Sequence, residues 1–301
     1  LLQGSLDQVA PQRWHWQLKG QLQDFDPRPW WAFAEGSPWA RGPHRLNATL
    51  NTNASAPRAA LASLGSEPRL ALAQFDGQFS LAVAPSQLAG VAVLGDLLLD
   101  SHAATPLTSQ WQVAGNSLTL QARNGIGSPG EHWPIAVQAP ALAGLAPLLA
   151  MDDELKARVP SAGRIEATAT ADGQGQAWQW QGQIKASGLS GQGYRVDSIS
   201  LNGQGGSTLD APLDLKLQAQ GLQQGAARIE LLNLTATGSG SDHQLALQLE
   251  SPARPPEWFE QVLGARTGSG TRVQASISGH WQPEANGKTF SPAGQWQGRI
   301  S

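Results

Sequence analysis

The chain has 301 residues, with 20 basic against 23 acidic side chains and a net charge of −3. That balance argues against nucleic acid, whose phosphates require a basic field, while 34 Gly and 20 Pro with only 14% charged residues argue against helical bundles and coiled coils. Cysteine is absent, which removes thiol catalysis, disulfides and Cys-ligated zinc together.

The dominant signal along the chain is a period of two. Trp14-His15-Trp16-Gln17-Leu18-Lys19-Gly20-Gln21-Leu22 sets a large apolar residue or Gly at every second position, with polar residues between. The alternation recurs over 45–51, 75–83, 117–122, 164–172, 178–185, 213–220, 244–250, 272–281 and 296–301. Successive strand side chains point to opposite faces, so this pattern predicts sheets with one apolar and one wetted face. Parallel sheets buried on both sides read instead as unbroken apolar runs. The predicted class is all-β and mostly antiparallel. A few helical turns are expected over 29–36, where Pro29 suits a first position and Gly36 a stop, and over 148–159 and 256–265. Gly-rich turns are expected at 125–130, 203–206, 238–241 and 268–270, and 125–131 has the composition of an internal boundary. No run reaches the ~18 apolar residues of a spanning helix. The chain opens without Met or a signal-peptide pattern and reads as a piece of a longer protein.

A weak repeat, apolar-x-Gly-x-apolar, appears as Leu18-Lys19-Gly20-Gln21-Leu22, Phe75-Asp76-Gly77-Gln78-Phe79, Trp180-Gln181-Gly182-Gln183-Ile184, Ile277-Ser278-Gly279-His280-Trp281 and Trp296-Gln297-Gly298-Arg299-Ile300. Its Gly has the parity of the apolar residues. That fits either the inside of a curved sheet or a Gly roofed by a neighbouring aromatic in a sandwich. Strands of ordinary length give on the order of 16–20 strands. Two dozen wetted apolar side chains at ~1.5–3 kcal/mol each far exceed a net stability of ~5–15 kcal/mol, so the apolar face requires a cover. The covers are a second sheet, a bilayer, a greasy ligand in a U-shaped trough, or coiling into a β-helix. A single Tyr speaks against the aromatic girdles of a membrane barrel, and irregular spacing speaks against a β-helix.

Nothing in the chain looks like an active site. His15, His44, His102, His132, His243 and His280 show no metal-ligand spacing, and His15 and His280 lie on the polar parity. Asp152-Asp153-Glu154 is the one acidic cluster, and it suits the start of a helical turn. Gly203-Gln204-Gly205-Gly206 and Gly173-Gln174-Gly175 lack the helix and Lys of a phosphate loop, and no G-x-S-x-G elbow occurs. Asn47-Ala48-Thr49 and Asn233-Leu234-Thr235 match the glycosylation pattern on strand-like segments and read as chance. No catalytic residue, metal or cofactor is expected.

Residues 111–250 carry a run of short segments: Gly115-Asn116-Ser117-Leu118-Thr119-Leu120, His132-Trp133-Pro134-Ile135, Ala139-Pro140-Ala141-Leu142-Ala143-Gly144-Leu145-Ala146-Pro147, Gly163-Arg164-Ile165, Val196-Asp197-Ser198-Ile199-Ser200-Leu201 and Pro212-Leu213-Asp214-Leu215-Lys216-Leu217. In that order they resemble the TamB family of translocation and assembly modules, related to AsmA-like proteins. Gly279-His280-Trp281, Phe25-Asp26-Pro27 and Arg41-Gly42-Pro43-His44 extend the likeness. The resemblance implies an inner-membrane-anchored periplasmic protein whose long, curved, mostly antiparallel sheet folds into a taco-like trough with an apolar interior, and this chain would be its intermediate repeat region.

On that reading the apolar parity lines a lipid groove, through Trp14, Trp16, Leu18, Leu22, Phe79, Leu81, Val83, Leu118, Leu120, Ile165, Trp178, Trp180 and Ile184, then Leu213, Leu215, Leu217, Leu245, Leu247, Leu249, Val273, Ile277, Trp281, Trp296 and Ile300. The expected partners are phospholipid acyl chains, neighbouring repeats of the same chain and an outer-membrane assembly partner reached through a C-terminal region absent here. The expected role is phospholipid transport between membranes, support of outer-membrane protein assembly, or both. Two other classes stand beside it: a scaffold that pairs client strands at its sheet edges, and a carbohydrate-binding β-protein using Trp as stacking platforms.

Overall fold

The computed structural model describes residues 1–151, 159–174, 177–252, 270–283 and 294–300. Sixteen strands stand side by side in chain order in one sheet, open at both edges. They are β1 (Leu2–Ala10), β2 (Arg13–Phe25), β3 (Leu46–Pro57), β4 (Asp76–Leu88), β5 (Val91–Asp100), β6 (Leu107–Val113), β7 (Asn116–Ala122), β8 (His132–Ala139), β9 (Ala162–Gln174), β10 (Ala177–Gly191), β11 (Tyr194–Gly206), β12 (Pro212–Gln224), β13 (Ala227–Ser239), β14 (Asp242–Ser251), β15 (Thr271–Pro283) and β16 (Gly294–Ile300). All the described registers are antiparallel. The fold is therefore all-β, as the period of two predicts.

The helices are short and not all where the sequence places them. Residues 29–36 form turns; the helix begins later, at α1 (Pro38–Arg41). Ser37 explains the shift, because its Oγ accepts from the Ala40 N–H at 3.1 Å and caps the first turn. Unforeseen helices α2 (Arg58–Ser63) and α3 (Pro68–Leu72) connect β3 to β4. A 3₁₀ turn (Leu142–Leu145) and α4 (Ala146–Leu149) start ahead of the expected 148–159. Residues 152–158, with the Asp152-Asp153-Glu154 cluster, and 256–265 lie outside the described residues. The expected turn at 203–206 is instead the end of β11.

The chain divides into two compact units: 1–159 with 170–176, and 160–169 with 177–301. β9 thus gives its second half to the first unit and its first half to the second. Within the first unit the sheet curls around Phe75. This ring lies 6.1 Å from Trp16 of β2 and also packs against Leu99, Leu107 and Ala122 of β5, β6 and β7.

Two glycines of the apolar parity are roofed by cross-strand aromatic neighbours. Gly95 pairs with Trp111, and a Cβ at Gly95 would sit 2.6 Å from that indole. Gly205 pairs with Trp180 in the same way, at 3.0 Å. The missing side chain is the space the ring fills, so these strands lose little packing to Gly. Gly188 and Gly221 act differently: both take positive φ, 61° and 63°, inside β10 and β12. The ladders run through them without a register shift, yet beyond Gly188 the buried residue is Leu189, of the opposite parity to Ala186. A left-handed residue interrupts the two-residue alternation there.

Gly95→Val is expected to destabilise the protein by about 1–3 kcal/mol through overpacking against Trp111. Thr119→Val, on the exposed opposite parity of β7, should stay within about 0.5 kcal/mol. Urea unfolding of both variants measures the difference.

Candidate functional site

Residues paired across an antiparallel ladder share a face, so the registers show which side chains stand together. In the first unit one face carries Trp14, Trp16, Leu18 and Leu22 of β2, then Ala48, Leu50, Thr52, Ala54 and Ala56 of β3. Phe79, Leu81 and Val83 of β4 follow, then Gly95, Leu97 and Leu99 of β5, Leu107, Ser109 and Trp111 of β6, and Leu118 and Leu120 of β7 beside Ile135 and Val137 of β8. In the second unit one face carries Trp180 and Ile184 of β10 with Gly205 and Leu201 of β11. It continues through Leu213, Leu215 and Leu217 of β12, Gly238, Ala236 and Leu234 of β13, Leu245, Leu247 and Leu249 of β14, and Ile277, Ala275 and Val273 of β15. Trp178 has the parity of Trp180. Ile165 joins the same face, because Gly182 lies against Ala169 of β9, two turns of alternation further along. The backbones of Trp281, Trp296 and Ile300 continue these rows, with Trp281 paired to Trp296 and Ile277 to Ile300; their side chains lie outside the described residues.

Outside the cluster of Leu99 and Leu107 the large residues of these rows are half-buried or exposed, and many of the small ones are buried. Trp180 and Ile184 each keep 39% of their surface exposed, whereas Ala186, Ala219 and Ala236 are buried. Bulky side chains stand proud of the sheet and shade the small ones between them, so the apolar wall stays open over much of its area.

Two of its indole donors have hydroxyl partners on the same rows. The Trp16 indole N–H donates to Thr52 Oγ1 at 3.0 Å, and that of Trp111 donates to Ser109 Oγ at 2.7 Å. Thr52 and Ser109 are buried hydroxyls on the apolar rows, each placed beside the ring it serves. Sequence reading passed over both, since a lone Thr or Ser in an apolar row looks like noise. Among the residues placed by register on these rows, His243, paired with Gly238 and Gly279, is the one titratable group. Charged residues take the other face: Lys19, Asp76, Asp96, Lys185, Asp214, Lys216, Glu250 and Arg272.

The histidines pair with neighbouring strands. His132 Nδ1 lies 2.7 Å from Asp172 Oδ1, His280 Nδ1 lies 2.8 Å from Asp242 Oδ1, and His15 Nε2 lies 3.0 Å from Asn53 Oδ1. Asp26 has its pKa lowered to about 2 by the hydrogen bonds from Arg28, and Arg28 is raised in return. Both sit on an exposed turn after β2, away from the apolar rows.

A family model for the N-terminal domain of TamB matches residues 76–296, from the start of β4 into β16. The chain belongs to the TamB family. TamB proteins are transport and assembly proteins of the cell envelope. No curated protein and no solved structure matches the chain. Among the described residues no helix is long and apolar enough to cross a membrane.

The open wall and the closed core of this TamB chain should respond differently to truncation. Ile184→Ala is expected to cost about 1 kcal/mol, because the side chain is already partly in water. Leu99→Ala, at a buried position, is expected to cost about 2–5 kcal/mol. Comparable losses at both sites in urea melts would show that Ile184 is core and not open wall.

Proposed function

We propose that this TamB segment carries phospholipid acyl chains along its apolar face, in the periplasm of a protein tethered to the inner membrane, and so serves lipid movement to the outer membrane. The observation that carries the reading is the continuous apolar row in each unit, open along much of its length and without Asp, Glu, Lys or Arg at its registered positions. Each CH₂ withdrawn from water onto such a wall contributes ~0.8 kcal/mol. A wall with no charged anchor holds a chain without fixing its position along the groove. The partners that follow are phospholipids and neighbouring repeats of the same protein, with an outer-membrane assembly partner engaging outside this segment.

A second reading, a scaffold that pairs client strands at its edge, is favoured by β1, which is exposed along its whole length and would offer edge backbone groups. The carbohydrate reading has less support: Trp14, Trp16, Trp111 and Trp180 all register on the apolar rows and none on the polar ones.

Leu215→Asp separates conduit from scaffold. A charge facing hydrocarbon costs several kcal/mol unless it reaches water or a partner, so in a conduit this residue should cut phospholipid transfer severalfold while the protein stays folded and abundant. Lys216→Asp, on the opposite face of β12, should leave transfer near normal. The measurement is phospholipid transfer in cells that rely on the parent protein, with immunoblots for abundance. Normal transfer by abundant, folded Leu215→Asp protein would sink the conduit reading for this segment.

A further inference from the structure

We infer that the connection between β3 and β4 in the first unit is a lid on the apolar groove, latched by a buried ion pair, and that acyl chains reach the wall beneath it only when it lifts. The inference rests on the acyl-chain reading and adds a moving part to it.

The connection leaves β3 at Pro57, forms α2 and α3, and rejoins the sheet at Asp76. Its inner side lies on the apolar rows. Leu72 and Phe75 pack against Leu99, Leu107 and Ala122, beside Ile126 from the β7–β8 connection. Elsewhere such rows are half-exposed; here Leu99 and Leu107 are buried and Ala122 is fully buried. The chain's own side chains thus occupy this stretch of wall as a ligand would. Leu61, Leu64 and Leu70 on the outer side are exposed. A connection apolar on both sides suits a segment that moves between a greasy groove and a lipid phase.

The latch is Arg69 of α3 with Glu131. The Arg69 Nε donates to Glu131 Oε1, and the Gly127 N–H donates to Oε2. Glu131 is fully buried, and Gly173 of β9 lies so close to the carboxylate that no Cβ fits there. A buried carboxylate that loses its cation is strongly unfavourable, which favours the closed state. Against it stands the Trp133 indole N–H, also packed at this cluster, buried and without a hydrogen-bond partner. Opening lets water or an ester oxygen satisfy that donor. The ion pair and the packing of Leu72 and Phe75 favour closure, while an orphan donor and a competing apolar ligand favour opening; such an arrangement has two states and few between.

The native chain has no cysteine, so Ala122→Cys places a single thiol under the lid. Modification by a maleimide should be slow in that background. Adding Arg69→Gln should speed it about tenfold or more, as a local opening becomes populated, and should raise uptake of a pyrene-labelled phosphatidylcholine from vesicles severalfold. Arg69→Met with Glu131→Leu exchanges the pair for apolar side chains and should hold the lid shut, with a slow rate. Phe75→Ala keeps the ion pair, removes the filling ring and should also raise uptake; it decides the matter by the same two readouts if Arg69→Gln does not fold. An unchanged modification rate in folded Arg69→Gln, or unchanged uptake across variants that do bind the lipid, overturns the lid. No uptake by any chain, the parent included, overturns the acyl-chain reading and the lid's purpose with it.

Discussion

The antiparallel ladder is the constraint on which the rest depends. Each strand pairs with its sequence neighbours, and paired residues share a face, so every strand must keep the phase of the one before it. A slip of one residue would turn a whole set of leucines into water. Leu201↔Leu217, Leu217↔Leu234 and Leu234↔Leu247 show the phase passing through four strands unbroken. Local pairing alone builds the wall, and no long-range crossover is needed to assemble it.

A wall of this kind has to remove polar obstacles as well as gather apolar residues. Tryptophan is a large apolar surface with one donor, and an unpaired donor would be a sticking point for anything that moves across it. Thr52 and Ser109 answer that problem at Trp16 and Trp111 by accepting the indole protons from the next strand or the same one. Trp133 lacks such a partner, and it packs at the buried cluster of Leu99, Leu107 and Ala122.

The strands with clean alternation were legible in the sequence: β2, β10, β12 and β14 contain the segments the period of two picks out, and β4 contains all of 75–83 but Phe75. β5 was not, because Leu94 and Leu98 stand exposed on the polar parity and turn Val91–Asp100 into a nearly continuous apolar run. β11 was hidden by Gly203, Gly205 and Gly206, which read as a turn until Leu215, Trp180 and Ala211 are seen filling their places. β13 was hidden by Leu231-Leu232, two neighbours of opposite parity. The shared apolar face follows from residues close in the alternation. Arg69 and Glu131 are 62 positions apart, and no local pattern announces that they meet.

The phase breaks at Gly188 and Gly221 have a common form. Ala186-Ser187-Gly188-Leu189 and Ala219-Gln220-Gly221-Leu222 repeat Ala-x-Gly-Leu near the ends of alternate strands, and both glycines are left-handed. Leu189 pairs with Val196 and Leu222 with Ile229, so each new apolar position meets an apolar partner that is out of phase in the same sense. A random slip would have set leucine against a polar residue. At Gly221 a side chain is excluded twice, by its φ of 63° and by the Asp197 carboxylate lying where a Cβ would project. Two hairpins therefore change phase together in the second unit, and each keeps apolar against apolar across its ladder after the change.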